Sequence, residues 1–298
     1  MRGVAAVSSL APEEQQDAEQ TAHLVGLFGY PVEHSLSPAM QNAAFAAAGL
    51  PYRYVLLPVT PGEFESQVEQ CVERGFAGWN VTVPHKERMV LLLDEASDEV
   101  LVIGACNTVR VEDGQLLGFN TDTTGFMRGL SDAGGIEKGS RVVLLGAGGA
   151  ARSVAWALSR EGHSVLILSR DVEQAEQVAK SLTSRMHRNI EPGSFQAISS
   201  SGVLKEAAML VNCTPVGQWP HTNESPLPYN VRLPDHLLVY DLVYRPRPTR
   251  LLRDAQIAGC RTQDGLAMLV NQGAAAFRIW TGQEAPLEVM WEAVRAET

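Results

Sequence analysis

The sequence predicts an α/β protein of two domains, each built around a largely parallel β-sheet. With 298 residues, the chain exceeds one ordinary α/β core and falls short of three. Apolar runs suited to strands alternate with helical patterns over residues 24–83, an order that favours parallel pairing. A second strand–helix–strand unit begins at residue 142 around a glycine-rich turn, and two further helical patterns close the chain.

Composition and charge narrow the possible functions. The chain is 45% hydrophobic and 19% charged, and its formal net charge is −10. Since a nucleic-acid backbone requires a basic surface, nucleic acid is not expected as a partner. Four cysteines lack both a C-x-x-C pair and histidines at metal-ligand spacing, which predicts buried thiols and no metal site. They are Cys71, Cys106, Cys213 and Cys260.

Residues 1–22 are predicted to form a disordered acidic tail. The mild apolar stretch within them is too short and too weak for a signal peptide or a membrane helix. We therefore expect a cytoplasmic protein without a membrane partner.

The first predicted strand covers residues 24–30 and ends in a Gly-Tyr-Pro turn. Pro38 can occupy the first turn of a helix, and the alanine-rich residues 39–48 favour its continuation. The elements after it alternate in type, as a layered α/β domain requires. They are a strand over residues 53–59, a helix over 61–74, a strand over 78–83, a hairpin over 109–117 and a helix over 125–130.

Two serines lie just before the first predicted helix. Ser35 and Ser37 are two residues apart, so their hydroxyls can face the same way in an extended chain. Ser37 could instead serve only as the N-cap of the helix, a role that leaves Ser35 unexplained.

A second polar group follows the strand over residues 78–83. Thr82 and Lys86 lie at the end of this strand, where open α/β sheets place ligands. A lysine that opens a helix opposes the helix dipole, which favours a functional role over a solvated surface position. Asn107 and Asp122 flank the hairpin and could lie side by side, although Asp122 could also be only a helix N-cap.

The segment Gly146-Ala147-Gly148-Gly149-Ala150-Ala151 lies between an apolar run over residues 142–145 and a helical pattern over 152–160. Here a strand must end, reverse tightly and open a helix whose free N–H groups point toward an anion. A second apolar run over residues 163–168 completes a β-α-β unit. The pattern predicts a dinucleotide-binding turn, and a glycine-rich turn without a ligand is the alternative.

The end of the second strand indicates which dinucleotide fits. Ser169, Arg170 and Asp171 stand roughly 20 residues beyond the first glycine, where a side chain meets the adenosine ribose. The guanidinium of Arg170 suits a 2′-phosphate, whereas a carboxylate would accept hydrogen bonds from the ribose hydroxyls. We therefore predict NADP as the cofactor, with NAD less favoured. Asp171 could bind the ribose of NAD or cap the next helix.

Taken together and in order, these motifs resemble the shikimate dehydrogenase family over about residues 24–294. The matching segments are H-S-L-S-P from residue 34, N-V-T-V-P-H-K from 80, G-A-C-N-T from 104, N-T-D from 120, the glycine turn, N-C-T-P-V-G from 212, D-L-V-Y from 241 and D-G-L-A-M-L-V-N-Q from 264. The resemblance implies reversible NADPH-dependent reduction of 3-dehydroshikimate to shikimate in aromatic amino acid biosynthesis. Gln218 departs from the family, which commonly has methionine at this position.

The resemblance also implies roles for individual residues. Lys86 and Asp122 would be the catalytic pair. The small-molecule substrate would be bound by this pair and by Ser35, Ser37, Thr82, Asn107, Tyr244 and Gln272. The cofactor would be bound by Gly146, Ala147, Gly148, Gly149, Ala150, Ser169, Arg170, Asp171, Thr214, Pro215, Val216, Leu242 and Gly265.

The domain organisation follows from the same resemblance. A substrate-binding domain would comprise residues 23–121 and 264–298, and a Rossmann-like domain with a doubly wound parallel sheet would comprise residues 122–263. A strand-like run over residues 237–242 and the C-terminal helical patterns, over 266–280 and 286–294, agree with a chain that returns to its first domain. Both ligands would bind between the domains, and the protein would act as a monomer or homodimer.

Three other functions remain open on the sequence. A quinate or dual quinate/shikimate dehydrogenase using NAD or NADP would share Lys86 and Asp122. An enzyme resembling methylenetetrahydrofolate dehydrogenase is disfavoured by the serine pair and the N-T-D segment. A non-catalytic nucleotide-binding regulatory protein is disfavoured because both catalytic residues are present.

Overall fold

The computed structural model describes residues 22–186, 190–200 and 202–297. Of the predicted acidic tail, residues 1–21 lie outside the described residues. None of the described helices is long and apolar enough to cross a membrane.

The first domain contains a six-stranded sheet in the order β2-β1-β3-β5-β6-β4. Its strands are β1 (His23–Gly29), β2 (Tyr52–Pro58), β3 (Gly78–Val81), β4 (Glu95–Ala96), β5 (Thr108–Glu112) and β6 (Gln115–Phe119). Four helices connect them: α1 (Ser37–Ala47), α2 (Phe64–Glu73), α3 (Lys86–Met89) and α4 (Asp98–Ile103), with a 3₁₀ turn at Val90–Leu92.

This sheet is mixed rather than wholly parallel. β1 pairs in parallel with β2 and β3, as the strand–helix alternation predicts. β5 and β6 form the predicted hairpin and are antiparallel to each other. Asp113 and Gly114 turn this hairpin with φ of 52° and 81°, a left-handed pair typical of a tight two-residue turn.

The second domain is wholly parallel, with the strand order β12-β11-β10-β7-β8-β9. Its strands are β7 (Arg141–Leu145), β8 (Ser164–Ser169), β9 (Ile190–Ser194), β10 (Met209–Asn212), β11 (Leu238–Asp241) and β12 (Arg261–Gln263). The helices that flank it are α6 (Gly149–Arg160), α7 (Val172–Met186) and α8 (Arg250–Ile257), with a 3₁₀ turn at Phe195–Ser199.

The apolar run of β7 shows why this sheet is buried on both faces. Val142 and Leu144 face one layer of helices, whereas Val143 and Leu145 face the other, because successive side chains of a strand alternate. Burial of each such side chain contributes about 1.5–3 kcal/mol. The β-α-β unit predicted around the glycine turn is thus the centre of the second domain.

The C-terminal helices, α9 (Leu266–Thr281) and α10 (Leu287–Ala296), return to the first sheet. Phe277 stacks on Phe45 of α1 with ring centroids 5.1 Å apart. The indole of Trp280 donates a 2.9 Å hydrogen bond to the carbonyl oxygen of Val109 in β5. The chain therefore comes back to its first domain, as predicted.

Helix α5 (Asp122–Asp132) lies between the two domains. Its Phe126 stacks on Tyr240 of β11, with ring centroids 5.0 Å apart. On its other side, a Cβ at Gly125 would lie 2.6 Å from the carbonyl oxygen of Met268, so α5 and α9 approach closely. Residues at the start of α5 are consequently held by both domains.

All four cysteines are free thiols, as predicted. Cys71, Cys106 and Cys260 are buried, and Cys213 is partly buried. Burial raises the pKa of Cys71 to about 11 and that of Cys106 to about 12, so these thiols are unreactive near neutral pH.

Candidate active site

Lys86 and Asp122 meet where two helices of the site begin. Lys86 opens α3 just after β3, and Asp122 opens α5 just after β6. The ammonium Nζ lies 2.5 Å from Oδ2 of Asp122, and the side chains are 11% and 6% exposed, respectively. An ion pair in so little water has a fixed direction, which suits proton transfer to a bound ligand.

Asn107 holds the other oxygen of this carboxylate. Its Nδ2 donates to Oδ1 of Asp122 at 2.9 Å, and its Oδ1 accepts from the backbone N–H of Thr121 at 2.7 Å. Asp122 therefore has a partner on each oxygen. The expectation that Asn107 and Asp122 lie side by side is confirmed, whereas the N-cap alternative is wrong: Thr121 is the N-cap, without a side-chain capping bond, and Asp122 turns to Lys86 and Asn107.

A buried hydrogen-bond network supports Asn107 from behind. Tyr54 donates to Oδ1 of Asn80 at 2.8 Å, and Nδ2 of Asn80 donates to Oγ1 of Thr108 at 2.9 Å. Thr108 in turn donates to Oδ1 of Asn107 at 3.1 Å. Burial raises the pKa of Tyr54 above its usual range, so it remains a hydroxyl donor.

The sequence analysis assigned no site role to this network. Thr108 and Thr121 stand beside Asn107 and Asp122 in the G-A-C-N-T and N-T-D segments, so their neighbours could have indicated them. Tyr54 lies on a strand where a tyrosine ordinarily fills the core, and no local signal separates the two roles.

Ser35 and Ser37 each pair with a tyrosine. The hydroxyl of Ser37 lies near Tyr54 and partly offsets the rise in its pKa that burial causes, and the hydroxyl of Ser35 does the same for Tyr244. The predicted N-cap role of Ser37 is wrong, because Leu36 is the N-cap and Ser37 is the first residue of α1. The backbone N–H of Ser37 donates to Oγ of Ser35 at 3.2 Å. Ser35 therefore satisfies a backbone donor at the start of α1.

Two other predicted substrate residues border the same region. Gln272 of α9 accepts from Nδ2 of Asn107 at 3.4 Å. Thr82 is half-buried at the end of β3, where its N–H donates to the carbonyl oxygen of Phe28 at 2.8 Å. The structure thus places Gln272 beside Asn107, next to the Lys86–Asp122 pair, and Thr82 four residues before Lys86.

The glycine turn connects β7 to α6 as predicted. Gly146 has a φ of 103°, a left-handed conformation that glycine alone adopts readily, and its N–H donates to Leu168 of β8 at 2.8 Å. Gly148 is the N-cap of α6 and provides no side-chain capping bond. A Cβ at Gly148 would meet no atom within 4 Å, so the backbone there is open to a ligand. An open helix N-terminus of this kind fits a dinucleotide pyrophosphate.

The end of β8 supports the NADP prediction. Arg170 is exposed there, beside Ser169. Oδ1 of Asp171 accepts from the N–H of Gln174 at 3.1 Å, which is the geometry of a helix N-cap. Of the two roles open to Asp171, the structure therefore shows the capping one.

The loop after β10 is held by a second buried network. Oδ1 of Asn212 accepts from N–H and Oγ1 of Thr214, at 3.0 and 2.7 Å. Nδ2 of Asn212 donates to Asp241 at 2.9 Å, and Asp241 also accepts from Thr249 at 2.6 Å. Burial raises the pKa of Asp241 to about 6. The sequence analysis gave Asp241 no role, although it opens the matching D-L-V-Y segment.

The remaining predicted cofactor residues lie around this loop. Pro215 and Val216 follow Thr214 in the chain, and Nδ2 of Asn212 donates to the carbonyl oxygen of Val216 at 3.3 Å. A Cβ at Gly265 would lie 2.0 Å from the carbonyl oxygen of Leu242, so only glycine fits there. Ala147 and Ala150 belong to the glycine turn and the first turn of α6, respectively.

Gln218, the departure from the family pattern, connects the two domains. Its Nε2 contacts Nε2 of His34 in the segment that carries Ser35 and Ser37. Burial lowers the pKa of His34, so the imidazole is neutral near pH 7 and can accept this hydrogen bond.

A Lys–Asp pair thus faces a dinucleotide-type glycine turn across the junction of two α/β domains, which defines a two-domain, nicotinamide-dependent oxidoreductase. Family models match three parts of the chain. Residues 27–109 match the shikimate dehydrogenase substrate binding domain, 132–216 match shikimate / quinate 5-dehydrogenase, and 265–295 match the shikimate 5'-dehydrogenase C-terminal domain. The chain belongs to the shikimate dehydrogenase family, which confirms the resemblance.

Individual relatives agree over nearly the whole chain. The shikimate dehydrogenase (NADP(+)) of Methanopyrus kandleri is 45% identical over 280 residues, covering 93% of this chain and 96% of that protein. A crystal structure of shikimate dehydrogenase in complex with NADP+ has a TM-score of 0.86 at 37% identity, covering 93% and 96%. Quinate dehydrogenase from Corynebacterium glutamicum in complex with NAD has a TM-score of 0.83 at 31% identity, covering 92% and 99%.

Proposed function

We propose that the protein catalyses the reversible NADPH-dependent reduction of 3-dehydroshikimate to shikimate, a step in aromatic amino acid biosynthesis. One observation carries this proposal: Lys86 and Asp122 form a buried pair at 2.5 Å beside the junction with the dinucleotide-type turn. The family and the relatives named above support the same reaction.

The proposed chemistry assigns Lys86 as the proton donor. Bound NADPH would supply the hydride. Hydride transfer to a ketone builds negative charge on its oxygen, and the Lys86 ammonium neutralises that charge by donating a proton. In the reverse direction, the neutral amine that Lys86 becomes after this donation accepts the alcohol proton, and Asp122 orients it. Because Asn107 holds Oδ1 of Asp122, the carboxylate keeps Oδ2 directed at the lysine.

The other polar groups would bind the two ends of the substrate. Ser35, Ser37 and Tyr244 form a cluster of hydroxyls that suits a carboxylate without introducing a full charge. Thr82 and Gln272, together with Asn107 and Asp122, would bind the ring hydroxyls. Such a site discriminates by geometry, since each hydroxyl of the ring must find its own partner.

For the cofactor, we propose that the backbone of the glycine turn binds the pyrophosphate and Arg170 binds the 2′-phosphate of NADP. The loop that carries Thr214, Pro215 and Val216, with Leu242 and Gly265 beside it, would border the nicotinamide. The buried network of Asn212 and Asp241 supports this placement because it holds the start of the loop against β11.

The domain limits and surroundings are also proposals. We assign residues 23–121 and 264–298 to the substrate-binding domain and 122–263 to the cofactor domain. The net charge of −10 argues against a nucleic-acid partner, and we propose a cytoplasmic location. We propose that the protein acts as a monomer or homodimer.

Quinate is the competing substrate, because a solved quinate dehydrogenase with NAD also shares this fold at 31% identity. Initial rates with shikimate and quinate, each with NADP and NAD, test the proposal at 340 nm. Turnover chiefly with shikimate and NADP is expected. Faster turnover with quinate and NAD would replace the proposed reaction, and no turnover in any combination would favour a regulatory protein.

The role of Lys86 is tested separately. Lys86→Ala should lower kcat by about 10²–10⁴-fold, since it removes the general acid, while the KM for shikimate changes little. Lys180→Ala is the matched control, because Lys180 is an exposed lysine of α7. Equal kcat values for the two variants would refute the assignment.

A further inference from the structure

One face of α6 touches both segments that carry the catalytic pair. Gly149, Arg152 and Ser153 have i, i+3 and i+4 spacing and therefore share a side of the helix. We call these three residues the α6 face. The same helix begins at the glycine turn, so its first turn belongs to the proposed cofactor site and to the domain junction at once.

Gly149 lies directly against the stem of Lys86. A Cβ at position 149 would lie 3.0 Å from Cβ and 3.1 Å from Cδ of Lys86. Unbonded carbon atoms pack at about 3.5–4.0 Å, so the lysine already occupies the space that a side chain would need. At Gly148, by contrast, a Cβ would meet no atom within 4 Å. Neighbouring glycines of one turn thus face different neighbours.

Arg152 reaches the residue that follows the lysine. Its Nη2 lies 3.4 Å from Oε2 of Glu87, and the Arg152 side chain is 12% exposed. Since α3 contains only four residues, it has little internal stability of its own. A charge pair to the neighbouring domain therefore fixes the orientation from which Lys86 projects.

Ser153 reaches the segment before Asp122. Its Oγ accepts from Nδ2 of Asn120 at 2.9 Å, and that amide also donates to the carbonyl oxygen of Ala105 at 2.9 Å. Asn120 and Ser153 are both buried. The α6 face therefore contacts Asn120, two residues before Asp122, and the aliphatic stem of Lys86.

We infer that the α6 face is a positioning surface for the Lys86–Asp122 pair, and that position 149 is glycine because of the lysine stem and not because of the dinucleotide. Gly149 and Arg152 act through Lys86 and Glu87, so they are positioning residues. The inference rests on the proposed catalytic role of Lys86. It also couples the cofactor turn to the alignment of the proton donor, since both belong to the first turn of α6.

The two glycines provide the decisive comparison. Neither glycine has a φ in the left-handed range, so alanine would not strain the backbone at either position. Any effect of the added Cβ therefore comes from what it contacts. Gly149→Ala should displace Lys86 by a few tenths of an ångström and lower kcat about 5- to 10-fold, while the KM for NADP stays within about 2-fold. Gly148→Ala should do the reverse and raise the KM for NADP. Gly62→Ala, on an open loop of the first domain, controls for alanine alone.

Two outcomes overturn the inference. An unchanged kcat in the Gly149→Ala enzyme would show that the lysine does not depend on this contact. A raised KM for NADP with kcat unchanged would show that Gly149 serves the dinucleotide, as Gly148 does. If Lys86→Ala is inactive in the same assays, either outcome removes only the positioning role and leaves the proposed function standing.

The ion pair gives a second, independent test. Arg152→Met should lower kcat about 3- to 10-fold with little effect on the KM for NADP, and Arg152→Lys should recover most of the loss because the charge returns. A merely structural role would show as a lower melting temperature with normal kcat in the folded enzyme. Equal kcat for Arg152→Met and the wild type would overturn the positioning role of Arg152. If Gly149→Ala does not fold, this comparison alone decides whether the α6 face positions the Lys86–Asp122 pair.

Discussion

Replacing Asp241 with asparagine should remove a defined part of the pH dependence of stability. Asp241 is fully buried at the end of β11 and accepts hydrogen bonds from Thr249, Asn212 and the N–H of Val243. Burial nevertheless raises its pKa from 3.8 to about 6, because the hydrogen bonds offset only part of the lost hydration. In the unfolded chain the carboxyl recovers its ordinary pKa.

The sign and size follow from these two values. Between about pH 4 and 6 the native state holds a proton that the unfolded chain has released, so rising pH favours unfolding. The contribution of Asp241 is fully present below pH 4 and is lost as the pH rises through 6. Each pH unit of pKa difference corresponds to about 1.4 kcal/mol, which gives about 3 kcal/mol in total.

Urea unfolding followed by circular dichroism at pH 4, 5, 6 and 7 measures this term. The free energy of unfolding of the wild type, relative to that of Asp241→Asn, should fall by about 2.4 kcal/mol from pH 4 to pH 7, because part of the total is already lost at pH 4. Asp235→Asn is the control, because Asp235 is exposed. Parallel profiles for the wild type and the Asp241→Asn protein would refute the reasoning.

Three further changes have defined outcomes. Arg170→Ala should raise the KM for NADP about 10- to 150-fold and leave the KM for NAD nearly unchanged, because a charge-assisted hydrogen bond contributes about 1.5–3 kcal/mol. Equal effects on the two KM values would exclude a contact between Arg170 and the 2′-phosphate. Tyr54→Phe deletes a buried donor and should lower the free energy of unfolding by about 1 kcal/mol in a urea titration. Gly129→Ala would place a Cβ 2.1 Å from Oη of Tyr240, so a loss of about 1–3 kcal/mol is expected in the same titration, whereas Gly62→Ala should be neutral.

Local patterns were sufficient to predict the second domain around the glycine turn. The run over residues 142–145 is apolar at every position because both faces of β7 are covered, and the turn needs glycine for its own backbone. The hairpin at Asp113 and Gly114 was predictable for the same reason. In each case the residues that determine the structure are neighbours in the chain.

Contacts between distant segments could not be predicted in this way. Tyr54 lies 26 residues before Asn80, and Gln218 lies 184 residues after His34. No local sequence pattern therefore predicts either contact. The helix-cap interpretations of Ser37 and Asp122 failed for a related reason. A side chain at a helix start binds whichever partner the tertiary structure supplies, and for Asp122 that partner is Lys86.

The return of α9 and α10 to the first sheet has a consequence for synthesis on the ribosome. All strands of the second sheet have been made once β12 has emerged, so this sheet can form while the remaining chain, which adds Met268 to its core, is still being made. The first domain cannot complete its core at that stage, because the surface of α1 around Phe45 stays uncovered until the segment with Phe277 has been synthesised. Because Gln272 lies in that last segment, the nascent protein has every strand of its second sheet before it has every residue that we propose to bind the substrate. Chaperone capture during translation should therefore concentrate on the N-terminal half of the chain.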